Sequence, residues 1–277
     1  MTDAHLHLQD PVFEESLEEI AATLRKEGVR RWVVNGTSPD DWNRVGELSE
    51  RYGEVVPFYA VHPWRIDGLA NDWELRLREV LEASADAGVG ETGLDRWIRP
   101  RDPARQREVF LAHLKIAREY RRVLSIHCLR AWGSLLECLE SDPPDRPFLL
   151  HSYSGPRELV SRFAELGGFF SLSGYFFRPD KEAKLAVFAA VPEDRTLLET
   201  DAPDMAPPDS MRSYRIAPSP SWETAKNGNP TKAEPNHPAN LVAVYQAYAW
   251  WKGLSLEEAT ALVSNNATAW LGITPAR

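Results

Sequence analysis

Gly88-Val89-Gly90-Glu91-Thr92-Gly93 admits two readings, and the choice between them settles the fold. Its letters match G-x-G-x-x-G, the fingerprint of a dinucleotide-binding open sheet. In that fold a helix starts inside the glycine string and its N-terminus receives the pyrophosphate. Here Leu94-Asp95-Arg96-Trp97-Ile98-Arg99-Pro100 follows, and Pro100 and Pro103 delay any helix. The fingerprint is therefore rejected, and Leu94–Pro103 is expected to be loop. The other reading makes Gly88–Gly93 a short strand. Its glycines relieve crowding around a buried carboxylate, Glu91, which emerges at the strand's end and points inward. A buried carboxylate needs a cation.

Outward from this stretch, short apolar or β-branched runs alternate with amphipathic segments. Strands are expected at Thr2–His7, Arg31–Asn35, Val55–Val61, Gly88–Gly93, Val123–His127, Phe148–His151, Phe169–Ser173 and Thr196–Thr200. Several are apolar throughout, as strands buried on both faces are. Leu17, Ile20, Ala21 and Leu24 fall at i, i+3, i+4 and i+7, and Phe110, Leu114 and Ala117 repeat that helical spacing. Pro156 stands where a first helical residue would, and Gly167 where a helix would stop. Ser255-Leu256-Glu257-Glu258 is a capping box for a last helix. Eight βα units in about 250 residues suit an α/β fold of the closed (β/α)8 TIM-barrel type. A doubly wound open sheet is the alternative. Residues 1–277 read as one barrel domain, since no linker splits them. From Asp204 to Pro238 the chain is rich in Pro, Ser and Asn. This long loop after strand eight is expected to lie over the barrel mouth as a lid or substrate-binding wall.

Candidate ligands decide for the barrel. His5, His7, Glu91, His127, His151 and Asp201 all lie at or just past strand ends. Donors from strands one, four, five, six and eight could not converge in a flat sheet, but they can at the C-terminal mouth of a barrel. In His5-Leu6-His7 the spacing puts both imidazoles on one strand face. A shared cation relieves their mutual repulsion there; two surface histidines near a frayed terminus is the plainer reading. For Glu91 the plainer reading is a salt bridge to Arg96 or Arg130. His127 and His151 each end an apolar strand, and Asp201 offers a carboxylate at the mouth. Asp3 and Asp95 are expected to accept ring N–H groups of metal-bound histidines, with salt bridging as the alternative. His62 either faces substrate or packs in the core. His113 falls mid-helix with no assigned role, and His237 is structural. Trp64, Trp97, Trp132 and Trp222 lie near the expected mouth, where they could stack on bases or pack at the rim.

Composition narrows the function classes. The 277-residue chain is 43% hydrophobic, enough for a sizeable core, and carries a net charge of −9. That charge argues against a generally basic nucleic-acid-binding surface, though not against a local basic cleft. Cys128 and Cys138 fit no metal spacing, and so sparse a cysteine set suits a reducing cytoplasm, the expected location. MTDAHLHLQD shows no signal-peptide pattern, and no apolar run approaches the ~20 residues of a membrane span. Neither G-x-x-x-x-G-K-[ST] nor G-x-S-x-G occurs.

The motifs taken together are Asp3-Ala-His-Leu-His-Leu8, Val61-His-Pro63, Gly90-Glu-Thr-Gly-Leu-Asp95, Ile126-His127, His151-Ser-Tyr-Ser-Gly155, Ser171-Leu-Ser-Gly174, Glu199-Thr-Asp-Ala-Pro203, Asn236-His-Pro-Ala-Asn240 and Asn266. In this order, over nearly the whole chain, they resemble the TatD-type metal-dependent hydrolases of the amidohydrolase-like TIM-barrel group. The resemblance implies a one- or two-metal centre. His5, His7, Glu91 and Asp201 would hold one ion, and Glu91, His127 and His151 the other. It also implies deoxyribonuclease activity, often 3′-to-5′ exonuclease, with aminoacyl-tRNA hydrolysis known in related proteins. There are departures. The family commonly places an Arg two residues after the strand-five His; here Leu129 stands there and Arg130 follows. The loop after strand eight is longer than usual and carries Arg212 and Arg215.

The expectation is a divalent-metal-dependent hydrolase, specifically a deoxyribonuclease. Hydroxide generated on the metal would attack phosphorus, with Asp201 accepting its proton and Glu91 as the second catalytic carboxylate. His62, Arg130, Tyr153, Arg178 and Arg215 are the expected substrate-binding residues, with Arg130 and Arg178 or Arg215 on phosphate. The acidic surface mildly favours an alternative, hydrolysis of an ester, lactone or amide at the same site. A non-catalytic binding module on a barrel scaffold is a third reading. Mixed imidazole and carboxylate donors suit Zn, Mn, Fe, Co or Ni, and Mg less well. The expected partners are DNA or a small ester substrate, with no membrane, and the protein is expected to be a monomer.

Overall fold

The structure, a computed structural model, describes residues 1–97, 99, 102–217, 222 and 234–272. Eight strands occur in chain order: β1 (Thr2–Leu6), β2 (Arg31–Asn35), β3 (Val55–Phe58), β4 (Val89–Asp95), β5 (Leu124–Leu129), β6 (Phe148–Leu150), β7 (Gly168–Ser173) and β8 (Thr196–Glu199). Sequential neighbours pair in parallel from β1 to β3 and from β4 to β8. Backbone hydrogen bonds close the two remaining seams. At one, Phe58 bridges Gly88, and Gly90 N donates to Tyr59 O at 3.2 Å. At the other, Asp201 N donates to His5 O at 2.9 Å and His7 N to Ala202 O at 2.8 Å. The eight parallel strands, alternating with helices, form the expected TIM-type barrel.

The apolar runs become strands because both of their faces are covered. Trp32, Val33 and Val34 of β2 are fully buried, as are Phe148, Leu149 and Leu150 of β6. The helices cover the outer faces with their apolar stripes. In α1 (Leu17–Lys26) the buried residues are Leu17, Ile20, Ala21 and Leu24. In the helix Pro103–Glu119 they include Phe110, Leu114 and Ala117. The last helix, Leu256–Leu271, opens on the capping box of Ser255 and Glu258. Among the described residues, no helix is long and apolar enough to cross a membrane.

Strand ends differ from expectation by up to three residues, and one difference matters. Glu91 is not at a strand's end. It is the third residue of β4, which runs on to Asp95 because Leu94 and Asp95 keep their parallel partners Cys128 and Leu129. Of the expected loop Leu94–Pro103, its first two residues are therefore strand. Pro103 opens the next helix, at a position where its missing N–H would be orphaned anyway; Asp102 caps that helix by accepting from Arg105 N at 2.9 Å. No helix starts within Gly88–Gly93, so the dinucleotide reading falls. Residues 98, 100 and 101 lie outside the described residues.

The glycines of this stretch admit neighbouring strands. A Cβ on Gly88 would lie 2.3 Å from the Phe58 ring, one on Gly90 2.7 Å from Ser125 Cβ, and one on Gly93 1.9 Å from His127 O. After β8, Arg215 bridges antiparallel to Asn236, and Asn236 N returns to Pro203 O at 2.8 Å. The tip of the expected lid, residues 218–221 and 223–233, lies outside the described residues.

Candidate metal centre

Five imidazoles surround one buried carboxylate. Glu91 Oε2 lies 3.4 Å from His5 Nε2 and 3.3 Å from His7 Nε2. Its Oε1 lies 3.0 Å from His127 Nδ1, 2.8 Å from His151 Nε2 and 3.2 Å from His62 Nε2. Asp201 Oδ1 completes the first group, 3.6 Å from both His5 Nε2 and His7 Nε2. The two imidazole nitrogens of that group are 3.3 Å apart. In the second group His127 Nδ1 and His151 Nε2 are 3.2 Å apart. His5 and His151 stack between the groups, ring centroids 4.0 Å apart. Among the described residues the ion-pair partners of Glu91 are histidines rather than Arg96 or Arg130.

These separations fit a bound cation. A tetrahedron with edges near 3.4 Å has its centre about 2.1 Å from each corner, which is the usual Zn–N or Zn–O distance. The first group's separations, 3.3 to 3.6 Å, match such an edge. The ring tautomers agree. His7 Nδ1 donates to Asn35 O at 2.8 Å, which leaves its Nε2 lone pair for the cluster. His127 Nε2 meets Asp95 Oδ2 at 2.9 Å, which leaves Nδ1. His5 Nδ1 rests on Ser125 Oγ at 3.0 Å. The second group, Glu91, His127 and His151, would supply three donors to an ion, the number of protein ligands common in catalytic zinc sites.

Charge is frustrated without a cation. Burial opposes ionisation of Glu91, but the surrounding imidazoles overcome it and hold the carboxyl well below its usual range. Burial likewise opposes charging of His7, yet Asp201 and Glu91 push it well above the usual imidazole value. His151 is raised in the same way, by Glu91 and Glu199. His5 is held down by burial and by His151. Side-by-side imidazoles thus compete for protons that one divalent ion would replace.

The structure brings the six expected donors together, but their supports differ from expectation. Asp95 reaches the His127 ring, as expected. Asp3 reaches neither ring. It accepts from Thr200 N at 3.0 Å and Thr200 Oγ1 at 2.6 Å, and so ties β1 to the end of β8. Ser125 and Asn35 do the orienting instead; a hydroxyl and a backbone carbonyl leave no distinctive mark in a sequence. His62 lies inside the cluster. Its Nδ1 accepts from Trp64 N at 3.1 Å, which makes Nε2 the N–H that faces Glu91. Burial pushes its pKa down to about 4, keeping it neutral. Asp95→Asn should lower metal affinity by roughly 10- to 100-fold, the usual cost of losing such a support. Titration of chelated protein with Zn2+ checks this; an unchanged affinity would separate Asp95 from the centre.

Other expected contacts do not form. Tyr153 is buried, its hydroxyl donating to Pro156 O at 2.7 Å and its ring packed on Trp132, so it is core and not a substrate contact. Trp132 is buried with it, and Trp222 packs half-buried against the core. Arg178, Arg212 and Arg215 line one open cleft of about 660 Å³, but acids share it. Arg212 and Arg215 both pair with Asp209 and Glu234, and Arg178 pairs with Asp180 at 3.6 Å. Arg130, directly after β5, is exposed and has no ion-pair partner among the described residues. His237 caps a turn by accepting from Ala239 N at 3.0 Å. His113 binds Val61 N through Nε2 at 3.1 Å and Val109 O through Nδ1 at 2.7 Å, a wholly structural role.

Comparison with known proteins gives the family. The model of the family described as TatD related DNase matches residues 2–272. An uncharacterized metal-dependent hydrolase of Escherichia coli K12, YcfH, is 26% identical over 96% of this chain and 93% of its own. The 3′-5′ ssDNA/RNA exonuclease TatD of Cronobacter sakazakii is 26% identical over 91% of this chain and 90% of its own. The crystal structure of YjjV, a TatD homologue from E. coli K12, superposes with a TM-score of 0.86 at 25% identity, covering 99% of this chain and 98% of that one. A match to the family model over nearly the whole chain means that this chain belongs to the TatD related DNase family.

Proposed function

We propose that the protein is a phosphodiesterase of single-stranded DNA that works through two divalent ions sharing Glu91. One observation carries this reading: the two oxygens of Glu91 face different donor groups, Oε2 towards His5 and His7, Oε1 towards His127 and His151. Paired ions about 3.5–4 Å apart suit phosphodiester chemistry, where the attacking and leaving oxygens both carry developing charge. The relative from Cronobacter sakazakii bears the name of such an exonuclease.

In this reading His5, His7, Glu91 and Asp201 hold one ion, and Glu91, His127 and His151 the other. Bound there, divalent ions supply Lewis acidity towards phosphoryl oxygens and acidify water near neutral pH. Asp201 receives the proton of the attacking water. Its side chain is 12% exposed against 3% for Glu91, so it is the carboxylate that water can reach. His62 presents a neutral Nε2–H, able to donate to a substrate oxygen when the substrate enters. Arg130 holds a phosphate from the rim, whereas Arg178, Arg212 and Arg215 act less on substrate because acids balance them.

The test is incubation of metal-loaded protein with end-labelled single-stranded and duplex oligonucleotides, alongside a panel of esters and lactones. Release of nucleotides from the single strand is expected. Intact DNA together with an opened lactone or ester would overturn the phosphodiesterase assignment and leave a carboxyl-ester hydrolase at the same site.

A further inference from the structure

Two half-exposed indoles stand beside the donor groups. Trp64 follows β3 and is 42% exposed; Trp97 follows β4 and is 49% exposed. They touch each other, with ring centroids 6.2 Å apart and planes tilted by 38°. Trp64 also meets the centre itself, edge-on to His62 at 5.1 Å and near His127 at 6.1 Å. Solvent-exposed tryptophan is a poor use of a large apolar ring unless something covers it.

The pair is held in place from below. Asp95, fully buried, accepts from Trp64 Nε1 at 2.7 Å through Oδ2 and from Trp97 N at 2.5 Å through Oδ1. The same Oδ2 meets His127 Nε2 at 2.9 Å. One carboxylate therefore holds a candidate metal ligand, the Trp64 ring and the backbone of Trp97. The Trp64 ring, held through its Nε1, loses little entropy when a flat group covers it.

We propose that Trp64 and Trp97 form a stacking subsite for an unpaired nucleobase next to the scissile phosphate. The proposal deepens the phosphodiesterase reading and rests on it. Every base has a π-face, so the subsite tolerates any sequence but excludes bases already stacked in a duplex. It thereby selects single strands without a basic surface, which suits a chain of net charge −9. Stacking of a base on an aromatic side chain is worth ~1–3 kcal/mol, which corresponds to a roughly 5- to 150-fold change in affinity.

Trp97→Ala tests this cleanly, because Asp95 holds Trp97 by its backbone N–H and the substitution leaves the Asp95–His127 contact in place. On a single-stranded oligonucleotide the variant should raise KM roughly 5- to 150-fold, with Trp97→Phe recovering most of the loss. On an oligonucleotide carrying abasic residues at both nucleotides flanking the scissile phosphate, the gap between wild type and variant should close. A second readout needs no turnover: in chelator, deoxyadenosine monophosphate should quench the wild-type tryptophan fluorescence and deoxyribose 5-phosphate should not, with the difference lost in Trp97→Ala. Equal KM penalties on the two oligonucleotides, or quenching that survives Trp97→Ala, would overturn the subsite. If the wild type leaves DNA intact yet shows the Trp97-dependent quenching, the phosphodiesterase reading falls and the base subsite stands.

Discussion

Glu91→Gln is expected to strip the protein of at least one of the two ions proposed to share that carboxylate and to lower turnover by more than ~100-fold. That floor is the upper cost of losing a supporting partner of a ligand, and Glu91 is in direct contact with both donor groups. Glutamine keeps the shape but offers one carbonyl oxygen. Its NH2 is a donor only, and it would face either His5 and His7 or His127 and His151. Metal uptake by the wild type should release protons, because His7 and His151, raised above the ordinary value, must be neutral to ligate. The metal-free state has its own pH signature. A raised imidazole pKa contributes stability below the unfolded value of ~6.5 and loses it as pH climbs through the folded value; the depressed Glu91 contributes above ~4.3 and loses it as pH falls. Chelated wild type should therefore exceed chelated Glu91→Gln in urea midpoint most clearly between about pH 5 and 6.5. Metal analysis and titration calorimetry in two buffers measure the rest. Two ions per chain retained by Glu91→Gln would refute the shared-carboxylate centre.

Asp201→Asn is expected to separate metal binding from chemistry. Asparagine retains an oxygen where Oδ1 faces His5 and His7, but it cannot accept a proton at neutral pH. A positioned general base contributes typically 10²- to 10⁴-fold, and a fall of about that size in kcat is the expected outcome, with KM nearly unchanged. Asp201 has a left-handed backbone, φ 52°, which Asn adopts as readily as Asp. Its N–H bond to His5 O should persist too, so the barrel seam stays closed. Metal content should remain near the wild-type value, since His5, His7 and Glu91 are intact. A variant that keeps more than about a third of the wild-type kcat would remove Asp201 from the proton path, and one that loses its metal would make Asp201 chiefly a ligand.

Much of the centre was legible because its encoding is local. His5 and His7 share a strand face by the period of two. His127 follows the apolar run Val123–Ile126, and His151 the run Phe148–Leu150. Two prolines after Gly93 excluded the nucleotide-binding turn. The errors have a common physical form. Tyr153 and Trp132 sit in motif-rich stretches near the mouth, yet their rings face each other inside the core at 4.6 Å. Arg212 and Arg215 were attractive cations until Asp209 and Glu234 came back to meet them. Asp3 lies two residues from His5 but spends its acceptors on Thr200, across the seam.

The existence and order of the strands, the helix stripes, the last helix's capping box and the inward set of donors follow from short-range patterns legible in the sequence, the barrel included, whereas strand ends were set by their neighbours' pairing. The tertiary structure decided which groups meet. Closure brings Asp201 beside His5, 196 positions away, through one backbone hydrogen bond. It turns His62 onto Glu91, and it makes Asp95 serve His127, Trp64 and Trp97 at once. Such pairings depend on how the strands shear past one another and where each loop re-enters the mouth. Those are properties of the closed ring as a whole, and no local run of residues carries them.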